Sequence, residues 1–155
     1  MSDVLGVLDP AAAPSLRWGI IAPGGIANKF AEAVSQFTAG QVVAVSSRDE
    51  GRARSFAERH GIPRAYAGHE ALGADPEVDA VYVASPHSAH RDHAVAMARA
   101  GKHVLIEKAL ARNLVEVNEI FDAARGAGVF AMEAMWTRHL PHIAAVRRWI
   151  ADGRI

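Results

Sequence analysis

Leu16-Arg17-Trp18-Gly19-Ile20-Ile21-Ala22-Pro23-Gly24-Gly25-Ile26-Ala27 is the stretch that decides the fold. Its first seven residues form a short, nearly continuous apolar run, the pattern of a buried strand. Pro23-Gly24-Gly25 ends the run in a tight turn. Beyond it, Ile26, Phe30, Ala33, Val34 and Phe37 recur near helical spacing until Gly40, which predicts a helix with one apolar side. Strand, glycine turn and helix follow one another within 25 residues.

The same grammar repeats downstream. Gln41-Val42-Val43-Ala44-Val45-Ser46 predicts a second strand. Asp49 is placed to cap a helix that carries Phe56 and Ala57 inward and stops at Gly61-Ile62-Pro63, a glycine-then-proline ending. Ala65-Tyr66-Ala67 reads as a short strand and Asp75-Pro76-Glu77 as a turn. Asp79 to Ala84 predicts a third clear strand, broken at Ser85-Pro86, and a helix from His87 to Ala100 closed by Gly101 follows it. A strand over 103–107, a helix over 114–124 and a last strand over 128–132 complete the alternation. A helix over 140–150 puts Ile143, Val146, Trp149 and Ile150 on one side. No internal repeat interrupts it. Strands that are apolar throughout, alternating with longer helices, imply an α/β fold with a doubly wound parallel sheet covered on both faces. Ligands of such sheets bind at the carboxyl ends of the strands, here the turns 22–27, 46–49, 84–90 and 107–110. Residues 1–15 read as a loose leader, 16–135 as the domain, and 136–155 as a linker and helix.

Composition excludes several classes. The chain has 155 residues, half of them hydrophobic, which suits one globular domain rather than a disordered chain. Seventeen basic side chains balance seventeen acidic ones, against the basic excess of a dedicated nucleic-acid binder. There is no cysteine, hence no disulfide framework and no thiolate metal site. No apolar run approaches the roughly 18–20 residues that span a bilayer, and the first residues lack the basic segment of a signal peptide. The expectation is a cytoplasmic protein without nucleic-acid or membrane partners.

The turns themselves suggest chemistry. Ala22-Pro23-Gly24-Gly25-Ile26-Ala27 has the spacing of G-x-G-x-x-G/A with Ala22 in the first glycine's place. In that pattern the backbone must approach a pyrophosphate closely, at a helix N-terminus whose free N–H groups favour negative charge. Gly24 is where a side chain would block the approach, and Ala27 is small enough for helix-on-strand packing. An NAD site usually carries Asp or Glu about 20 residues further on, bonded to the ribose 2′-OH. Here the second strand ends Ser46-Ser47-Arg48. A hydroxyl and a guanidinium suit a 2′-phosphate instead, so NADP(H) is expected over NAD(H), with Asp49 the helix cap.

The third turn, Ser85-Pro86-His87-Ser88-Ala89-His90, brings hydroxyls and imidazoles to the same sheet edge. His87, His90 and His93 recur every third residue, which raises a metal site as a rival. No HExxH or other ligand set accompanies them, so no metal is assigned. In Glu107-Lys108, extended geometry points the two side chains to opposite faces. A lysine ending a central strand is placed to polarise a hydroxyl or shuttle its proton; the plainer reading is a solvated strand-end charge.

Taken together, WGIIAPGGIANKFA, VVAVSSRDEGRARSFAERHGIP, DAVYVASPHSAHRDHA and AGKHVLIEKAL resemble the nucleotide-binding half of the glucose-fructose oxidoreductase / inositol dehydrogenase (Gfo/Idh/MocA) family, in the family's order and over most of 16–135. The later stretch Met132 to Pro141 resembles the branch of dimeric dihydrodiol dehydrogenases and related sugar oxidoreductases. The resemblance implies a Rossmann-type fold. It also implies that Gly24, Gly25, Ile26 and Ala27 hold the pyrophosphate while Ser47 and Arg48 meet the adenosine phosphate. Ser85, Pro86, His87 and His90 would lie along the nicotinamide side. Glu107 and Lys108 would match the family's Glu-Lys-Pro motif, Lys108 as the catalytic lysine, and Trp136 and Arg138 would approach nicotinamide or substrate. Ala22 and Ala109 depart from the family's glycine and proline.

The family continues into a second α/β domain that forms the substrate pocket, and this sequence stops where that domain would begin. The expected function is therefore the NADP(H)-binding domain of an oxidoreductase that moves a hydride between nicotinamide and a sugar, polyol or diol. As a truncated form it would bind cofactor and turn over slowly or not at all, alone or completed by a second copy or another chain. The alternative is a non-enzymatic NADP(H)-binding or interaction module that uses Met132, Met135, Trp136, Ile143, Val146 and Trp149 as its surface.

Overall fold

A computed structural model describes residues 9–155; the first eight residues of the expected leader lie outside it. Asp9 caps one 3-10 turn, Pro10–Ala12. Six strands then alternate with helices. In chain order they are β1 (Arg17–Ile21), α1 (Gly25–Phe37), β2 (Gln41–Ser47), α2 (Glu50–His60), β3 (Arg64–Ala67), α3 (His69–Ala74), β4 (Ala80–Val83), α4 (His87–Arg99), β5 (His103–Glu107), α5 (Leu114–Ala127) and β6 (Ala131–Ala134). A 3-10 turn, Trp136–His139, and α6 (Pro141–Ala151) follow. The sheet order is β3-β2-β1-β4-β5-β6, and every pairing is parallel.

The apolar runs are explained by burial on both faces. Ile21, Val43, Val81, Val83, Val104 and Ile106 enter the core that also holds Leu72, Met97 and Ile120 from the helices of one layer. Their neighbours Ile20, Val45 and Tyr82 enter the opposite core with Ala27, Ala31 and Phe56. Consecutive strand residues thus feed two cores, as a period of two requires. The order reverses between β1 and β4, both wholly internal, and this switch point opens a crevice at the carboxyl ends of the strands.

Local signals act as expected at most boundaries. The Asp49 side chain accepts from the Arg52 amide at 3.1 Å, and Gly61 ends α2 in the left-handed conformation with φ 64°. Asn113 caps α5 by accepting from the Glu116 amide. Three expectations need correction. The inward face of α1 is Ala27, Ala31 and Val34, while Ile26, Ala33 and Phe37 face outward; small residues at i and i+4 let the helix lie close on the sheet. A short helix, α3, stands where no element was expected. The last strand is Ala131–Ala134 rather than 128–132, because α5 continues to Ala127 and Gly128 is its left-handed cap. The last helix, α6, forms as expected, and none of its residues is buried.

Candidate functional site

A cavity of about 590 Å³ occupies the crevice, a volume suited to a small-molecule site. It is lined by the turns after β1, β2, β3 and β4. The turn after β1 is held by backbone bonds: the Ala22 amide donates to the Ser46 carbonyl at 3.0 Å, and the Gly24 amide to the Ala22 carbonyl at 2.9 Å. Ala22 sits at φ 68°, a conformation that costs an L-residue with a Cβ and explains why a glycine belongs in that place. Gly24 is different. It has an ordinary extended φ of −110° as the N-cap of α1, and a Cβ built on it finds no atom of the protein nearer than the Ala22 carbonyl oxygen at 4.0 Å. At Gly25 a Cβ would touch nothing within 4 Å. The fold itself does not need glycine at either position, so the open backbone there suits a group arriving from outside. Ala27 is fully buried against the sheet and acts by packing, and Ile26 points outward.

At the end of β2, Ser47 and Arg48 line the same cavity. The Ser47 hydroxyl oxygen accepts from the Asp49 amide at 3.2 Å, which leaves its hydrogen to be donated. Asp49 is engaged as the cap of α2 and, among the described residues, its side chain holds no partner across the strand end. Arg52, not singled out from the sequence, also lines the cavity from the first turn of α2. Its position three residues after the cap was the available signal. The strand end therefore offers a hydroxyl and two guanidinium groups, donors suited to phosphate oxygens.

From the turn after β4, Ser85 and Pro86 line the cavity, but the histidines divide. His93 faces it, with Nδ1 2.9 Å from the Ser85 hydroxyl. His69, at the start of α3, packs beside it with ring centroids 4.7 Å apart. Burial, and then the neighbouring His69, hold the His93 imidazole below the usual histidine range. His90 is fully buried, with Nε2 2.7 Å from the Ser85 carbonyl and Nδ1 2.9 Å from that of Ala109. Its ring is committed to the backbone rather than to the cavity wall. His87 Nε2 lies 3.0 Å from the Lys108 carbonyl. Among the described residues no three His, Asp or Glu side chains converge as a metal set would.

The turn after β5 carries Lys108, whose side chain is exposed. Its surroundings are specified by side chains from three strands. Glu107 is buried, accepts the Tyr82 hydroxyl hydrogen and takes the Lys108 amide at 3.1 Å. Burial and then Glu107 push the Tyr82 phenol well above its ordinary value, so it stays a donor. The Leu110 amide donates to Glu133 on β6 at 2.8 Å. The Lys108–Ala109 peptide is cis. Glu107 thus meets Lys108 through the main chain. Tyr82 and Glu133 were not anticipated; an ordinary acid in a short strand gives no signal before the register of β6 is known. Trp136 and Arg138 lie in the exposed 3-10 turn beyond β6 and do not line the cavity.

A parallel sheet in this order, with a glycine turn at the switch point and donors at the end of the second strand, defines a dinucleotide-binding α/β domain. The comparisons agree and narrow the class. The family model described as oxidoreductase family, NAD-binding Rossmann fold, matches residues 16–135, and the chain belongs to this Gfo/Idh/MocA family. Trans-1,2-dihydrobenzene-1,2-diol dehydrogenase of Mus musculus is 43% identical over 143 residues, covering 91% of this chain and 43% of the relative. That of Danio rerio is likewise 43% identical over 143 residues, with the same coverage. A solved 3-ketoreductase from Actinomadura kijaniata, in complex with TDP-benzene and NADP, superposes with a TM-score of 0.84 at 34% identity, over 92% of this chain and 45% of that one. A probable dehydrogenase from Thermotoga maritima gives 0.83 at 31%, over 90% and 42%. The chain spans less than half the length of these relatives.

Proposed function

We propose that the chain binds NADP(H) in preference to NAD(H), as the cofactor domain of an oxidoreductase acting on a sugar, polyol or diol. The observation that carries this reading is the end of β2, where Ser47, Arg48 and Arg52 line the cavity and the nearest acid, Asp49, is occupied as a helix cap. The NADP in the solved 3-ketoreductase and the diol in the curated relatives' name point the same way. Gly24 and Gly25 would admit the pyrophosphate to the N-terminus of α1, and Ser47 with the two arginines would hold the 2′-phosphate. When bound, the nicotinamide supplies the hydride chemistry. Lys108 would hold or move the proton of the substrate hydroxyl at its Nζ, from a turn positioned by His87, His90, Glu107 and Glu133.

The test is titration of the purified chain with NADPH and, in parallel, NADH, followed by quenching of tryptophan fluorescence. Saturable binding with NADPH at least tenfold tighter is expected. Equal affinities would overturn the 2′-phosphate assignment, and no binding to a folded chain would overturn the cofactor reading. One feature favours the interaction-module reading in that last case: Phe130, Met132, Trp136, Trp149 and Ile150 are exposed, and no residue of α6 is buried.

A further inference from the structure

The cavity has an end that phosphate binding does not explain. Ser46, the penultimate residue of β2, lines it; the residue is 1% exposed and its buried hydroxyl has no hydrogen-bond partner among the described residues. Buried hydroxyls are normally bonded, so this one awaits a partner from outside the chain. His69 and His93 line the same cavity, their rings inclined at 60° to one another, with Ser85 tied to His93 behind them. These groups sit on the α3 and α4 side of the sheet, and Ser46 stands directly beside the glycine turn, its carbonyl taking the Ala22 amide. A nucleotide held by its phosphates at the N-terminus of α1, on the opposite face, and by its ribose at Ser47 and Arg48 has the α3 and α4 side of the cavity left for its base.

We propose that Ser46, His69 and His93 form a polar floor that takes the ring edge of the nucleotide's purine by hydrogen bonds and thereby selects an unmodified edge. The inference rests on the dinucleotide reading above. A base that is only stacked between side chains tolerates any substituent on its outer edge. An edge seated on a buried hydroxyl and two imidazoles does not, because a bulky substituent both collides with the floor and leaves its polar groups unbonded. Hydroxyl and neutral imidazole can each donate or accept, so the floor senses bulk and bonding capacity at the edge rather than one fixed donor pattern.

The experiment compares NADP with its 1,N6-etheno analogue, in which an added ring blocks the adenine edge, by isothermal titration of the whole chain. Wild type is expected to bind the analogue at least tenfold more weakly. In Ser46→Ala and His69→Ala, checked for native circular dichroism, the ratio is expected to fall below threefold. Equal binding of the two by wild type would overturn the proposal even if the variants fail to fold. An unchanged ratio in both folded variants would overturn it as well. Failure of both ligands to bind would instead remove the dinucleotide reading on which it rests, a result distinct from equal binding.

Discussion

Replacing Gly24 with alanine separates what the fold needs from what a ligand needs. The new Cβ would lie 4.0 Å from its nearest protein atom, the Ala22 carbonyl oxygen, and φ −110°, ψ −167° is open to alanine. There is therefore no steric term. Stiffening the unfolded chain favours alanine by about 0.4–1 kcal/mol, and the poorer N-cap disfavours it by a similar amount, on the order of 0.5–1 kcal/mol. The two nearly cancel, so stability should change by less than about 0.5 kcal/mol, or about 2 °C in Tm. Binding should respond quite differently. The methyl group stands on the face that phosphate oxygens would have to approach, and a loss of at least tenfold in NADPH affinity, about 1.4 kcal/mol, is expected. Thermal melting by circular dichroism and fluorescence titration read the two effects separately. A fall in Tm beyond about 5 °C would mean that the fold itself requires Gly24. Unchanged affinity in a stable variant would show that this turn is not where the phosphates sit.

Four further substitutions probe other links. Ala22→Gly relieves the left-handed alanine, worth about 1–2 kcal/mol, against about 0.4–1 kcal/mol of added chain freedom; a small rise in Tm is expected, and a fall would contradict the strain. Arg48→Ala should weaken NADPH by roughly tenfold to a hundredfold, the range of a charge-assisted hydrogen bond, while changing NADH less than about threefold in the same titration. His90→Phe removes the buried imidazole that lies between the Ser85 and Ala109 carbonyls. A neutral ring donates to one of them at a time, so a loss of about 1–3 kcal/mol is expected for the carbonyl left unpaired; urea unfolding should show the loss, and a variant as stable as wild type would refute the strut. Asp79 accepts from the Arg17 side chain at 3.0 and 2.6 Å and from its amide at 2.9 Å, and the Arg17 guanidinium lowers its carboxyl to about 2. Because the folded value is the depressed one, the pairing stabilises the fold above the unfolded carboxylate's range and is lost as pH falls through about 2. The stability gap between wild type and Asp79→Asn should accordingly shrink between pH 5 and pH 2, as followed by urea unfolding; a constant gap would refute the linkage.

The strand-turn-helix alternation was legible because a sheet buried on both faces leaves few ways to write its strands. Ile20 and Ile21, or Val81, Tyr82 and Val83, must all be apolar when adjacent side chains enter different cores. Helix faces were less legible. Phe37 fits the expected stripe of α1 as well as Val34 does, yet only packing against β1 and β2 decides that Ala27 and Ala31 face inward. The strand end at Ser47-Arg48 could be read because it adjoins its own strand. Ser46, His69 and His93 could not be read as a group, since they come from three elements that the sheet order β3-β2-β1-β4 brings together. Spacing on α4 groups His87 with His90 and His93, whereas in the fold one ring faces the cavity and the other two lie against backbone carbonyls.

The turn at Lys108 shows how a fold can fix a backbone whose own sequence does little to fix it. Proline after the lysine would restrict that backbone locally, and Ala109 does not. The restriction is supplied from elsewhere: the amide of Lys108 is held by Glu107, its carbonyl by His87, the carbonyl of Ala109 by His90 and the amide of Leu110 by Glu133. Four of the five backbone polar groups from the Lys108 amide to the Leu110 amide are thereby assigned to side chains from β5, α4 and β6. Glu107 is in turn buried and bonded to Tyr82, which stacks on Phe30 of α1 with ring centroids 4.0 Å apart. The lysine turn is thus tied through Glu107, Tyr82 and Phe30 to α1, the helix that follows the glycine turn. Nucleotide cradle and lysine turn are positioned by one contiguous packing, so the relation between a bound nicotinamide and Lys108 would be set by the domain itself, whichever surface supplies the substrate.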